Sequence, residues 1–105
     1  MKNYILIFTT SPTKALAQKI AKDLIKEKLA ACVNISSPIE STYFWKGKIC
    51  CEKEFLLLIK SKKSLFKKLE KRIRQLHTYE VPEIIALPIL QGNEDYLTWI
   101  TKQTL

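Results

Sequence analysis

Apolar and polar positions follow two different rhythms along this chain. Tyr4-Ile5-Leu6-Ile7-Phe8 is a short unbroken apolar run and predicts a strand from Tyr4 to Thr9. Leu16, Ala17, Ile20, Ala21, Leu24 and Ile25 recur at spacings of one, three and four, which puts them on one face of a helix. Ser11 stands where an N-cap belongs and Pro12 where a missing N–H costs nothing, so the helix is expected to start there and to end near Lys28. A second strand begins with Ala30-Ala31-Cys32-Val33-Asn34-Ile35 and is interrupted at Pro38, which cannot donate to a ladder and belongs at an edge or a bulge. Glu40-Ser41-Thr42-Tyr43-Phe44-Trp45 resumes it with β-forming residues, and Lys46-Gly47 offers a tight hairpin turn. The third strand runs from about Lys48 to Lys60, and its end, Phe55 to Ile59, is apolar on both faces. Leu65, Phe66, Leu69, Ile73 and Leu76 predict a second amphipathic helix over about Ser64 to Leu76. A loop, His77 to Glu83, leads to a fourth strand from Ile84 to Leu90, which Gly92 ends. Asn93 can cap a last short helix, with Glu94 and Asp95 set well against its dipole and Tyr96, Leu97 and Ile100 on one face.

The order is βαββαβ with a terminal helix. It predicts one α+β domain over residues 1–105: a ferredoxin-like sandwich with an extended hairpin between the second and third strands and a short C-terminal helix. In such a fold two helices cover one face of the sheet, and strands with a wet face alternate apolar and polar residues. Tyr4 to Phe8, Phe55 to Ile59 and Ile84 to Ile89 do not alternate, so both faces expect cover. Each apolar side chain left in water forgoes about 1.5–3 kcal/mol of burial. The hairpin argues the same way, because a strand from Ala31 to Lys46 is roughly 50 Å long at about 3.3 Å per residue, against a radius of gyration of about 13 Å for a domain of this size. Its tip, with Tyr43, Phe44 and Trp45, must bend or reach past its own domain. Self-association through sheet edges and hairpin is therefore expected, with those three aromatics at the interface.

Composition narrows the class. The chain is 47% hydrophobic and 27% charged, with two glycines and four prolines, a globular profile rather than a disordered one. No apolar run is long enough to cross a membrane. The opening Met1-Lys2-Asn3 leads straight into strand residues without the features of a signal peptide, so a cytoplasmic protein is expected. Cys32, Cys50 and Cys51 make an odd count with no Cys-x-x-Cys pair, neither a disulfide framework nor a zinc ribbon. The net charge is +8, and eight of the fifteen residues from Lys60 to Arg74 are Lys or Arg, which suggests an anionic partner or a solvated basic helix face. The Arg/Lys-Gly-aromatic series of RNA-binding ferredoxin-like domains is absent, and the third strand offers only Phe55 for stacking. Nucleic acid is thus not expected as a specific partner, and sequence-blind, salt-sensitive binding is what the basic helix leaves open.

Candidate chemistry is sparse. There is no Gly-rich phosphate loop, no Gly-x-Ser-x-Gly and no His-Glu-x-x-His, so no enzyme is expected. His77, Glu80 and Glu83 supply an imidazole and two carboxylates within seven residues, a donor set suited to a divalent transition metal. A closed site wants about four ligands, and Cys32 or a glutamate from a neighbouring copy is the candidate to complete it. The competing reading has His77 and the carboxylates hydrogen-bonding the loop after the second helix. Asn34, Lys60, Tyr79 and Glu83, with Cys32, are candidates to line a ligand cleft between copies, against the plainer reading of interface hydrogen bonds and a Lys–Glu ion pair.

A longer ordered set of residues resembles one family. Leu29-Ala30-Ala31-Cys32-Val33-Asn34-Ile35, Glu40-Ser41 with Tyr43, Trp45 and Gly47, and Leu58-Ile59-Lys60 come first. His77, Tyr79, Val81-Pro82-Glu83-Ile84, Pro88-Ile89, Gly92, Tyr96-Leu97 and Trp99-Ile100 follow. Together they resemble the CutA family of divalent-cation tolerance proteins over nearly the whole chain. The resemblance implies a ferredoxin-like fold, a compact homotrimer with hairpins packed between subunits, and a link to copper and other divalent cations. Copper is proposed in some members to bind a cysteine late in the first strand and a histidine pair before the Tyr-x-x-Pro-Glu segment. Here those places hold Thr9 and Leu76-His77. A trimeric signalling module that binds a small anion or nucleotide between subunits is the alternative expectation, since the fold also resembles the nitrogen-regulatory P-II proteins. Their long flexible loop is replaced here by the tight Trp45-Lys46-Gly47-Lys48 turn.

Overall fold

Strand β1 (Tyr4–Ser11) runs past its apolar stretch because Thr9, Thr10 and Ser11 stay in register with Leu57, Leu56 and Phe55 of the long strand opposite. The structure, a computed structural model, describes residues 3–105, so Met1 and Lys2 of the opening segment lie outside it. Helix α1 (Lys14–Lys26) starts later than the Ser-Pro pair suggests. Its N-cap is Thr13, whose side chain accepts from the Leu16 N–H. Ser11 instead ends the strand and ties the turn, its hydroxyl donating to the Thr13 carbonyl at 2.7 Å and accepting from the Thr13 N–H at 3.3 Å. A hydroxyl bonded two residues ahead makes a local turn and so displaces the cap.

The second strand is broken around Pro38, as its chemistry requires. β2 (Cys32–Ile35) and β3 (Ile39–Trp45) pair with successive parts of one continuous partner, β4 (Lys48–Lys62). Lys46 and Gly47 both take positive φ, 50° and 77°, which matches the twist of a two-residue hairpin. A 3₁₀ turn (Lys63–Leu65) precedes α2 (Phe66–Leu76). β5 (Ile84–Pro88) stops at a residue with no N–H, earlier than expected, although the Ile89 N–H still reaches the Tyr4 carbonyl. Asn93 caps α3 (Glu94–Gln103) by accepting from the Tyr96 N–H at 3.1 Å.

The strand order is β2-β4-β1-β5, antiparallel throughout, with β3 extending the β4 hairpin beyond the sheet. This is the α+β, ferredoxin-like arrangement. Both crossover helices lie on one face, where Ile5, Ile7, Leu57 and Ile59 meet Ala17, Ile20 and Leu24 of α1 and Leu69 and Ile73 of α2. The register places Leu6, Phe8, Leu56, Leu58, Ile85 and Leu87 together on the other face. There α3 covers one end, burying Ile100, joining Thr101 to the Tyr4 hydroxyl at 2.6 Å and tying the Leu105 carbonyl to Lys62. The rest is open: Ile85 and Leu87 are 51% and 49% exposed. The hairpin both breaks near Pro38 and projects, giving extents of 44 × 26 × 24 Å, and Phe44 and Ile49 on it are 69% and 72% exposed.

Candidate functional site

The hairpin register decides what faces what. Pairing Ser41 with Glu52 and Tyr43 with Cys50 puts Ser41, Tyr43 and Trp45 on the same side as Cys50, Glu52 and Glu54. Along β4 that side continues into Leu56 and Leu58, the open apolar face. The loop after α2 comes back over this side and closes a cleft of about 700 Å³ lined by Thr10, Tyr43, Trp45, Glu52, Glu54, Tyr79, Glu80 and Glu83 among others. The cleft and the unpartnered face of the sheet are therefore continuous.

Two tyrosine–carboxylate pairs hold the cleft together. The Tyr79 hydroxyl donates to Glu54 at 2.7 Å, and Glu54 is only 6% exposed. The Tyr43 hydroxyl donates to Glu52 at 2.9 Å. Burial, and then the Glu54 hydrogen bond, pushes the Tyr79 phenol well above the usual tyrosine range. The Glu52 hydrogen bond, reinforced by desolvation and by the Glu52 charge, pushes Tyr43 up to about 12. Both phenols stay protonated donors at neutral pH, where they serve the neighbouring carboxylates.

His77 anchors the loop. Its Nε2 meets the Thr10 carbonyl at 2.6 Å, and its Nδ1 accepts from the Tyr79 N–H at 3.0 Å. A carbonyl only accepts and an amide N–H only donates, so the Nε2–H tautomer satisfies both bonds. The ring also packs on Tyr79, with centroids 4.7 Å apart. Both nitrogens being engaged, a metal would have to displace one of these bonds.

The proposed metal set is not gathered within one chain. Glu80 and Glu83 line the cleft, His77 turns to the β1 backbone, and Cys32 lies on β2 opposite Lys60 with its sulfur 3.9 Å from Asn34. Among the described residues no group of three or more His, Cys, Asp or Glu converges on a metal position. Thr9, at the place of the proposed cysteine, is fully buried on the helix side, and its hydroxyl has no hydrogen-bond partner among the described residues. Copper favours imidazole and thiolate, and these residues do not fit a copper site within one chain. The expected ligand cleft also divides. Tyr79 and Glu83 line the cleft just described, whereas Lys60 donates to Asn34 across β4 and β2. Of the three aromatics expected at an interface, Tyr43 and Trp45 face the cleft and Phe44 points away from it. Glu52 and Glu54 were not singled out from sequence. Their two-residue spacing and the turn at Lys46-Gly47 carry the signal, since together they put both carboxylates on the Tyr43 side.

Comparison with known proteins decides the family. The sequence profile of the "CutA1 divalent ion tolerance protein" family matches residues 5–103. The chain belongs to the CutA1 divalent ion tolerance family. It is 46% identical over 104 residues to the "Divalent-cation tolerance protein CutA" of Thermus thermophilus, covering 99% of each chain. It is also 46% identical over 100 residues to "Protein CutA 1, chloroplastic" of Oryza sativa, covering 95% of this chain and 56% of that longer protein. The solved structure of CutA1 from Oryza sativa superposes with a TM-score of 0.96 at 45% identity, covering 98% of this chain and 94% of that one. The resemblance read from the ordered motifs and the ferredoxin-like fold expected from it are both borne out.

Proposed function

We propose that this protein serves divalent-cation tolerance as a non-enzymatic homotrimer whose working surface is built between copies. One observation carries the reading: the carboxylate-lined cleft opens on the same side as the uncovered apolar face. Ile85 and Leu87 on that face expose about half of their surface, and Phe44 and Ile49, on the other side of the projecting hairpin, expose more. Burying each contributes about 1.5–3 kcal/mol, and patches of this kind mark association sites. Assembly on that face encloses the cleft. It is also the step that brings donors of separate copies, Cys32 and the loop carboxylates Glu80 and Glu83, within reach of one cation. The number three and the link to copper rest on the family likeness. Three unpaired cysteines fit a reducing compartment, and we assign the protein to the cytoplasm. Among the described residues no helix is long and apolar enough to cross a membrane.

Sedimentation equilibrium at micromolar concentration tests the assembly. The expected mass is three times the 12.2 kDa of one chain, and a stable single chain overturns it. Calorimetry with copper and zinc ions tests the cation role on wild type, His77→Ala and the Glu80→Gln/Glu83→Gln variant. Binding retained by the first variant and lost by the second is expected. Equal heats from all three proteins remove the cleft from the reading.

A second reading rests on the lining of the cleft. Its volume lies in the range of small-molecule sites, and Tyr43, Trp45 and Tyr79 combine with four carboxylates. That chemistry favours a small organic cation over the anion or nucleotide suggested by the P-II likeness. Thermal shifts with a polyamine and none with nucleotides would support it.

A further inference from the structure

The net charge of +8 is concentrated on one layer of the molecule. Residues 13–28 and 63–76, the two crossover helices with the turns that frame them, hold eleven of the eighteen Lys and Arg. They hold only three of the ten acidic residues, Asp23, Glu27 and Glu70. Eleven against three leaves a surplus of eight, the charge of the whole chain, and the remaining sequence balances at seven against seven. Both helices cover the same face of the sheet, so this surplus points one way.

Little within the layer neutralises it. Ten of the eleven basic residues are exposed, and the eleventh, Arg72, is committed to Asp23 through two bonds of 2.6 and 2.7 Å. That pair joins α2 to α1, and the Arg72 hydrogen bond holds the Asp23 carboxyl below the usual carboxylate range. Lys19 and Lys26 stand four before and three after Asp23, and Lys68 stands four before Arg72. Residues so spaced share a helix face, so cations border the seam between the helices on both sides. Lys67, Lys71 and Arg74 make a second stripe over about 10 Å of helix axis at 1.5 Å per residue. A nucleic-acid duplex carries one negative charge per about 1.7 Å of its axis.

The layer is also bare of apolar anchors. Among its large hydrophobic residues only Ile25 is exposed, and it presents no exposed aromatic ring. It therefore has nothing to stack on an unpaired base. A basic patch alone does not hold a protein firmly to a membrane, since stable anchoring takes a second, apolar signal. We propose that the two-helix layer docks the phosphate backbone of double-stranded nucleic acid without reading its sequence. This goes beyond the tolerance reading and does not depend on it. The layer lies across the sheet from the open apolar face, so copies assembled on that face leave it free.

The experiment is fluorescence anisotropy with a labelled duplex of random sequence, titrated between about 50 and 200 mM salt. The proteins are wild type, the Lys67→Gln/Lys68→Gln/Lys71→Gln variant, and a control that removes the same charge from the hairpin, Lys46→Gln/Lys48→Gln/Lys53→Gln. Affinity should fall linearly on logarithmic axes, and the helix variant should lower the slope by about 2 to 3, at roughly 0.9 per phosphate contact. The hairpin control should keep the wild-type slope. Unlabelled duplex DNA and duplex RNA should compete better than single strands or phosphatidylserine vesicles. Absence of binding at the low-salt end, equal loss in both variants, or stronger competition by single strands or vesicles overturns the proposal.

Discussion

Replacing Tyr79 by Phe removes one oxygen atom and leaves the ring that packs on His77 in place. The oxygen lost is the donor to Glu54, a carboxylate only 6% exposed at the root of the hairpin. A hydrogen bond to a charged group contributes about 1.5–3 kcal/mol, and a buried acceptor left unmatched loses all of it. For a chain of this length that is a fall in melting temperature of about 6–20 °C at fixed protein concentration. Urea titration followed by tryptophan fluorescence measures the free energy directly, since Trp45 lines the same cleft. Glu54→Gln keeps an acceptor for the phenol but removes the buried charge. The Tyr79→Phe/Glu54→Gln protein should therefore be less damaged than the sum of the single changes. A Tyr79→Phe protein within about 0.5 kcal/mol of wild type would refute the account, because Glu54 would then be satisfied without the phenol.

Three further outcomes are expected. The folded protein holds Tyr43 up to about 12 and Tyr79 raised as well, whereas an unfolded tyrosine ionises near about 10. The stabilisation is complete below that value and is lost as the pH rises through the folded values, because the unfolded chain then releases protons that the folded one keeps. Urea midpoints should thus decline above about pH 10, less so in a Tyr43→Phe/Tyr79→Phe protein, and an unchanged decline in that variant would count against both pairs. An alanine at Gly47 meets nothing within 4 Å, so its cost is the positive φ of 77° alone. Chemical denaturation should register about 1 kcal/mol, and no loss would mean that the turn relaxes. Leu87→Asp puts a charge beside Leu6 on the open face without touching the helix-side core. Light scattering should find smaller species with the far-ultraviolet spectrum of the wild type, and an unchanged mass would move the interface elsewhere.

Much of the architecture was legible in local chemistry. Pro38 marked the break between β2 and β3, Lys46-Gly47 the hairpin, Asn93 the cap of α3, and the apolar stripes of α1 and α2 the covered face. Each depends on residues a few positions apart, where steric and hydrogen-bonding preferences act before any tertiary contact forms. Ser11 is the local exception, because its hydroxyl had two short-range partners to choose between and took the turn.

The cleft was a different kind of question. His77 looked like a ligand by residue type, yet its Nε2 meets the carbonyl of Thr10, 67 residues away, which only the return of the α2–β5 loop brings near. Tyr79 and Glu54 are likewise 25 residues apart and meet through the register of β4 and that same loop. The basic run from Lys60 to Arg74 could be counted in the sequence, whereas its union with the lysines of α1 depends on both crossovers passing over one side of the sheet. Sequence alone determined the elements and the family, because backbone preferences and apolar periodicity are short-range and written in consecutive residues. Tertiary structure decided which polar groups meet, because a contact across strands depends on register and handedness that no single segment contains.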